Sequence, residues 1–170
     1  MFSKDSTIVI REAVSSDLEA IHDMQRALAD AELPYWGFID RCGLETAEKW
    51  GFPGYVDIKA KMNSDDNYVV VAEAGTRGPI VGISYGQIQD DDCWSTLDKF
   101  GYVGCVFVEN EFRGDGYRVW PQMLAKLEGW FKERGIKQMR LECLDGNMRA
   151  LKAYEKSEFR PMYQVMCKDI

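Results

Sequence analysis

The sequence predicts one domain of the α/β class, in the α+β sense, with a sheet flanked by helices. Three observations predict it. Short alternating runs rich in β-branched and aromatic residues recur along the chain, among them "TIVIREA", "NYVVVAEA" and "IVGISYGQIQ". Between them stand segments whose apolar residues fall at helical spacing. The chain has 170 residues, 46% of them hydrophobic, which fills one core and is too little for two, so residues 1–170 are read as a single domain.

The elements follow in order. "TIVIREA" is the first strand, and "SSDLEAIHDMQRALADAE" is a helix that opens on Ser and Asp and carries Leu18, Ile21, Met24 and Leu28 on one side. From Leu33 to Met62 the pattern mixes aromatics with Gly and Pro, which predicts short helical turns and loops that expose rings. "NYVVVAEA", the turn "GTRGP" and "IVGISYGQIQ" form a hairpin, followed by the acidic loop "DDDCW". "GYVGCVFVE" is a further strand. "VWPQMLAKLEGWFKERG" is a helix with Trp120, Met123, Leu124, Leu127 and Phe131 on one face and Gly135 as its C-cap. "IKQMRLECL" alternates as a strand, "NMRALKAYEKS" is a short helix, and "PMYQVMCKDI" is a closing strand. No internal repeat interrupts this order.

Charge and cysteine usage exclude several function classes. A net charge of −7 opposes nucleic-acid binding, which needs clustered Lys and Arg to neutralise phosphates, and fits a cationic or neutral partner better. The five cysteines (Cys42, Cys93, Cys105, Cys143, Cys167) are odd in number, lack C-x-x-C spacing and fall mostly in apolar runs, so they read as core residues in a reducing compartment. His22 is the only histidine, which disfavours a zinc site, and no metal is expected. No signal peptide is visible, and the most continuous apolar run, "YVGCVFV", is far short of the roughly 20 residues of a membrane-spanning helix. A cytoplasmic protein that binds neither membrane nor nucleic acid is the expectation.

The stretch "CVFVENEFRGDGYRVWPQM" carries the strongest chemical signal. A strand that feeds a helix through glycines leaves the first helical N–H groups unpaired and outward-pointing, and with the helix dipole they bind phosphate oxygens. Arg113 at the edge of the turn can add a bidentate contact. Two familiar phosphate motifs are absent: no Gly-Lys-Ser/Thr follows, and Val119 stands where a dinucleotide fingerprint needs its third glycine.

"RGDGYR" resembles the acetyl-CoA signature of the Gcn5-related N-acetyltransferase (GNAT) family, with Arg113 and Gly116 in the matching positions. "NMRALKAYEKSEF" is similar to the family's second signature, an Asn that opens a helix, a Tyr seven residues later and a closing Gly-Phe pair. At about 3.6 residues per turn, seven residues are close to two turns, so Asn147 and Tyr154 project from one face; the plainer reading of Asn147 is a helix N-cap. The resemblance implies the GNAT fold, a central mixed, mostly antiparallel sheet flanked by helices, with acetyl-CoA as co-substrate. It further implies Val106, Phe107, Val108, Arg113, Gly114, Asp115, Gly116, Tyr117, Arg118 and Asn147 as cofactor-binding residues.

The implied reaction is transfer of the acetyl group to a primary amine, on a small molecule or a protein, by direct attack through a tetrahedral intermediate. Strand amides polarise the carbonyl, and Tyr154 protonates the leaving thiolate. Carboxylates acting through water are the usual bases, and Asp90, Asp91, Asp92, Asp98 and His22 stand as candidates. The aromatics after the first helix, Tyr35 and Trp36 among them, are core rings or an acceptor site, and Asp91 in the "DDD" run is solvated loop or part of an anionic rim. The family also makes a homodimer possible.

Two positions depart from the family pattern. Arg118 replaces a Gly or Ala, either crowding a pyrophosphate or swinging aside to add a cation, and Glu158 replaces the Gly of the closing pair. Pro121 is harmless within a first helical turn, which places the helix start near Tyr117 or Arg118; a kink is the competing reading. A CoA-binding sensor or regulatory module without turnover is the alternative to an enzyme.

Overall fold

The computed structural model describes residues 7–35, 56–91, 97–164 and 166. Their strands and α-helices are β1 (Ile8–Glu12), α1 (Leu18–Glu32), α2 (Ile58–Met62), β2 (Asn67–Ala74), β3 (Ile80–Asp90), β4 (Lys99–Val108), α3 (Val119–Glu133), β5 (Met139–Arg140) and α4 (Met148–Lys156). The strands lie side by side in chain order, antiparallel from β1 to β4, and β5 joins β4 in parallel. The sheet is therefore mixed and mostly antiparallel.

Strand alternation sorts the core into two layers. Val70, Ala72 and Val103 pack with Met123, Leu127 and Phe131 of α3 on one face, while Val69, Val71 and Ile83 pack with Ile21 and Met24 of α1 and Ile58 of α2 on the other. Phe131, 1% exposed, lies where glycines leave room for it: a Cβ on Gly101 would stand 2.5 Å from its Cε1, and one on Gly86 2.8 Å from its Cζ. α3 ends as its sequence predicts, with Gly135 at φ +74, its N–H donating to the Lys132 carbonyl and the N–H of Ile136 to that of Phe131.

One polar network fixes the start of the chain. Arg11 of β1 donates to Glu73 of β2 (2.7 Å) and to both oxygens of Asp17 (2.7 and 2.9 Å), and Asp17 also accepts the Val14 N–H just before α1. Because these carboxylate oxygens meet donors, Asp17 and Glu73 can be buried without a large desolvation penalty.

Two expected strands are corrected. "IKQMRLECL" contributes only Met139 and Arg140, paired with Gly101 and Tyr102, before the chain turns away. The closing strand is not formed in its described part: residues 161–164 and 166 carry no strand pairing, and Met162, Tyr163 and Met166 are exposed. Residues 165 and 167–170 of that prediction lie outside the described residues. Among the described residues no helix is long and apolar enough to cross a membrane.

Candidate active site

The early end of β5 opens a notch. β4 continues from Tyr102 to Val108 with no strand beside it on that side among the described residues. Within this stretch β4 bulges: Ile83 faces Phe107 and Tyr85 faces Gly104, so Ser84 alone opposes Cys105 and Val106. Cys105 takes the left-handed conformation (φ 51), and the buried Ser84 hydroxyl donates to the Gly104 carbonyl at 3.1 Å. Gly104 is required because a Cβ there would meet the Tyr85 ring at 2.4 Å.

The bulge decides which amides face the notch. The Glu109 N–H donates to Val81 of β3, so by alternation Phe107 also faces β3, while Val106 and Val108 turn to the open edge. Of the three, Phe107 alone directs its amide to the β3–β4 ladder.

Next comes the turn. Gly114 (φ 93) and Gly116 are open, with nothing within 4 Å of an added Cβ, and Gly114, Asp115, Gly116 and Arg118 are exposed. Arg118 is the N-cap of α3 in the left-handed region (φ 51, ψ 38), so the position is one where glycine is the unstrained residue. The helix begins at Val119, which leaves Pro121 in its first turn; the Tyr117 carbonyl that its missing N–H cannot reach accepts from Gln122 Nε2 at 2.8 Å. Tyr117 packs on Phe112 with ring centroids 5.0 Å apart. The Asp115 carboxylate points to solvent near Lys156 (3.9 Å) and so does not crowd the turn.

Arg113 fastens the turn to the end of β4, its Nε donating to the Val108 carbonyl and its Nη1 to Asn110. Burial first, and then the neighbouring Arg149 charge, lower its pKa. Two cationic side chains near one open turn favour an anion there.

α4 closes the site. Asn147 is its N-cap, with Oδ1 accepting the Ala150 N–H at 3.2 Å. At the other end the Glu158 N–H donates to the Glu155 carbonyl (3.0 Å) and the Phe159 N–H to the Tyr154 carbonyl (3.1 Å), a Schellman motif with Glu158 at φ 68. Its hydrophobic contact is Phe159 against Tyr154, at 6.2 Å between centroids. The "Tyr…Glu-Phe" spacing thus encodes a helix end that holds the tyrosine ring. Trp120 of α3 holds its other side, edge-on at 5.6 Å, and donates to Ser157 at 3.0 Å. The helix behind the open turn and the helix that carries the phenol are therefore one unit.

A family model described as "Acetyltransferase (GNAT) family" matches residues 26–159, which span the end of α1, the bulged strand, the turn and α4. The chain belongs to the GNAT acetyltransferase family. No curated protein sequence matches it. Among solved structures it is similar to a tetramutant of the BH1408 protein from Bacillus halodurans (TM-score 0.75, 19% identity, 95% of this chain and 99% of that one). It is also similar to an aminoglycoside N-acetyltransferase in complex with CoA (0.72, 19%, 100% and 99%) and to a predicted acetyltransferase with acetyl-CoA from Clostridium acetobutylicum (0.67, 18%, 96% and 96%). These likenesses establish the fold.

The GNAT notch has a definite electrostatic character. Tyr154 is half-buried, and burial first, then Cys143 and Glu32, push its phenol well above the usual range. It is therefore protonated at neutral pH. Tyr85 is pushed up to about 12, mainly by burial, and Tyr102, which donates to Glu142 at 3.4 Å, also rises through burial. Glu32, the last residue of α1, is half-buried and raised by desolvation. Burial first, and then the same carboxylate, push Cys105 up to about 12 and raise Cys143.

The expected acceptor-side groups fare unevenly. Tyr35 is exposed, and its Cδ1 lies 3.6 Å from the Cβ position of Gly146, bringing the end of α1 to the loop before α4. Asp91 is no acceptor carboxylate: its side chain is 1% exposed and pairs with Arg140 at 2.5 Å, at the closed end of the notch. Asp90 pairs with Lys99 (3.7 Å) on the surface, and His22 lies on the exposed side of α1. Trp36 and Asp92 lie outside the described residues. Sequence reading did not place the Trp120 ring against Tyr154 or the Arg149 charge near Arg113.

Proposed function

We propose that this protein transfers an acetyl group from acetyl-CoA to a primary amine, with Tyr154 as the acid. The observation that carries the reading is the Tyr154 ring, held between Phe159 and Trp120 of the helix that starts at the open Gly114–Gly116 turn. The open Gly114–Gly116 turn and the first amides of α3 suit a pyrophosphate, which no Cβ would obstruct. Arg118 contributes its backbone N–H there, with its exposed side chain aside. The notch amides polarise the thioester carbonyl, the amine nitrogen bonds to that carbon, and Tyr154 gives its proton to the departing sulfur. One structural neighbour is named an aminoglycoside N-acetyltransferase, and a cationic amine acceptor also suits a chain of net charge −7.

Calorimetry with CoA and thiol release from acetyl-CoA over a panel of primary amines test this together. Tyr154→Phe is expected to lower kcat by about 10²–10⁴-fold while CoA affinity stays within about two-fold. Wild-type protein that binds no CoA, or an undiminished kcat in Tyr154→Phe, overturns the reading. CoA binding without thiol release across the panel favours the sensor instead.

A further inference from the structure

The sheet face that packs on α1 and α2 changes character at one row of the ladder. Val69, Ile83 and Phe107 on it are buried and apolar. Asn67 of β2, Gln87 of β3 and Tyr102 of β4 are cross-strand partners on the same face, and with Gln89 they are polar and only half-buried. A sheet face that meets only helices is apolar, so amides and a hydroxyl in one row point to a polar occupant. The row begins at the notch. Tyr102 is the last residue of β4 with β5 beside it, its ring lies 6.3 Å from that of Tyr85, and its hydroxyl donates to Glu142 at 3.4 Å. At the other end of the row stands Lys61 of α2. Its Nζ donates to Gln87 Oε1 at 3.0 Å and to Asn67 Oδ1 at 3.4 Å, and lies 4.3 Å from the centre of the Tyr85 ring. Gln89 Nε2 donates to the same Gln87 oxygen at 3.1 Å, which fixes that oxygen toward the ammonium.

We infer that Lys61 is a specificity residue of the acetyl transfer that selects acceptors carrying an anionic group, a carboxylate or a phosphate, away from the reacting amine; the inference rests on the reading of this notch as an acetyltransferase site. The ladder sets the spacing. Neighbouring strands lie about 4.8 Å apart, and Lys61 bonds to residues of the first and second strands beyond β4, so anion and amine stand about 5–10 Å apart. The two amide oxygens take two of the three ammonium protons without neutralising the charge. A tie that only held α2 against the sheet would need no charge, since a neutral amide donates to the same oxygens without the cost of half-burying an ammonium. An ammonium in this row repels a second cation and binds an anion through its third proton, while the Tyr85 ring holds it in place. The reacting end of such an acceptor is still an ammonium when it arrives, in keeping with the net charge of −7.

The test uses two pairs of amines that differ only at the end away from the nitrogen: 6-aminohexanoate with hexylamine, and 3-aminopropyl phosphate with 3-aminopropanol. Thiol release from acetyl-CoA gives kcat and KM for each with wild type, Lys61→Gln, Lys61→Met and Lys61→Arg. Wild type is expected to favour the anionic member of at least one pair by about 10–100-fold in kcat/KM, chiefly through KM. In Lys61→Gln that ratio should fall to within about three-fold of one, and Lys61→Arg should keep most of it, because a cation is restored. Lys61→Met keeps an apolar stem on Tyr85 and carries the same comparison where Lys61→Gln does not fold. A merely structural lysine gives a different result, in which both members of a pair are lowered alike and the ratio survives. That result, or a wild type with no preference for the anionic member of either pair, overturns the inference and leaves the acetyltransferase reading intact. Wild type that binds CoA yet acetylates none of the four amines also overturns it, and failure to bind CoA overturns the parent reading together with this one.

Discussion

Arg118→Gly should stabilise the protein, against the usual direction of single substitutions. Arg118 holds φ 51 and ψ 38 at the start of α3, near the centre of the left-handed well. An L-residue with a Cβ there costs about 1–2 kcal/mol relative to its right-handed conformation. Glycine removes that cost but gains about 0.5–1 kcal/mol of conformational freedom in the unfolded chain. The difference is a net stabilisation of about 0.5–1 kcal/mol. For a domain of this size it corresponds to a Tm about 1–4 °C higher. Thermal melting and urea unfolding of wild type, Arg118→Gly and Arg118→Ala measure it. Alanine is the discriminating control, because it removes the guanidinium but keeps the Cβ. If Arg118→Ala rises as much as Arg118→Gly, side-chain charge is responsible, and if Arg118→Gly melts at or below wild type, the strain argument fails. Glu158→Gly, at φ 68 past the end of α4, should gain by the same reasoning. The two departures from the family pattern are thus one physical event, a non-glycine residue in a backbone conformation that favours glycine.

How much of this was legible depends on the range of the interaction. The β2–β3 hairpin and both long helices could be read because alternation and helical period are local: Val69 to Ala72 alternate faces, and Met123, Leu127 and Phe131 share one. Gly135 could be read as a helix end for the same reason. α2 falls in the segment read as short helical turns and loops; Asp57 caps it, Oδ1 accepting the Ala60 N–H at 2.9 Å, but five residues are too few to show a period and fix its bounds. The length of β5 was not readable, since alternation in "IKQMRLECL" specifies which way side chains point and not how far the neighbouring strand stays alongside. In the site, the local pieces were legible: the open glycine turn, the first-turn proline and Tyr154 with its closing Phe159. What escaped is long-range. The bulge at Cys105 is set against Ser84 and Tyr85 on another strand. Arg113 shows the converse, a motif residue recognised correctly whose side chain proves to fasten the turn.

Two further outcomes test the scaffold that carries the notch. Gly101→Ala should destabilise by about 1–3 kcal/mol, because the new Cβ would stand 2.5–2.7 Å from three atoms of the Phe131 ring, which is buried and cannot withdraw. Phe131→Leu in the same chain should recover part of that loss, and a double-mutant cycle without coupling would refute the packing explanation. The second outcome concerns acid. The Arg11 hydrogen bonds hold the carboxyls of Asp17 and Glu73 below their ordinary pKa values, outweighing burial in both. A carboxyl whose pKa is lower folded than unfolded stabilises the protein above its unfolded value, at about pH 4, and loses that contribution as pH falls through the folded value. Melting temperature should therefore be insensitive to these groups from about pH 7 to 5 and drop below about pH 4. Asp17→Asn should cost about 1–3 kcal/mol at neutral pH, since it leaves Arg11 and the Val14 N–H with a weaker acceptor. It should also flatten the acid limb, because one of the groups that must be protonated is gone. Parallel wild-type and Asp17→Asn curves from about pH 7 to 3 would mean that the Arg11 network does not set acid stability, and that the drop arises from carboxylates elsewhere.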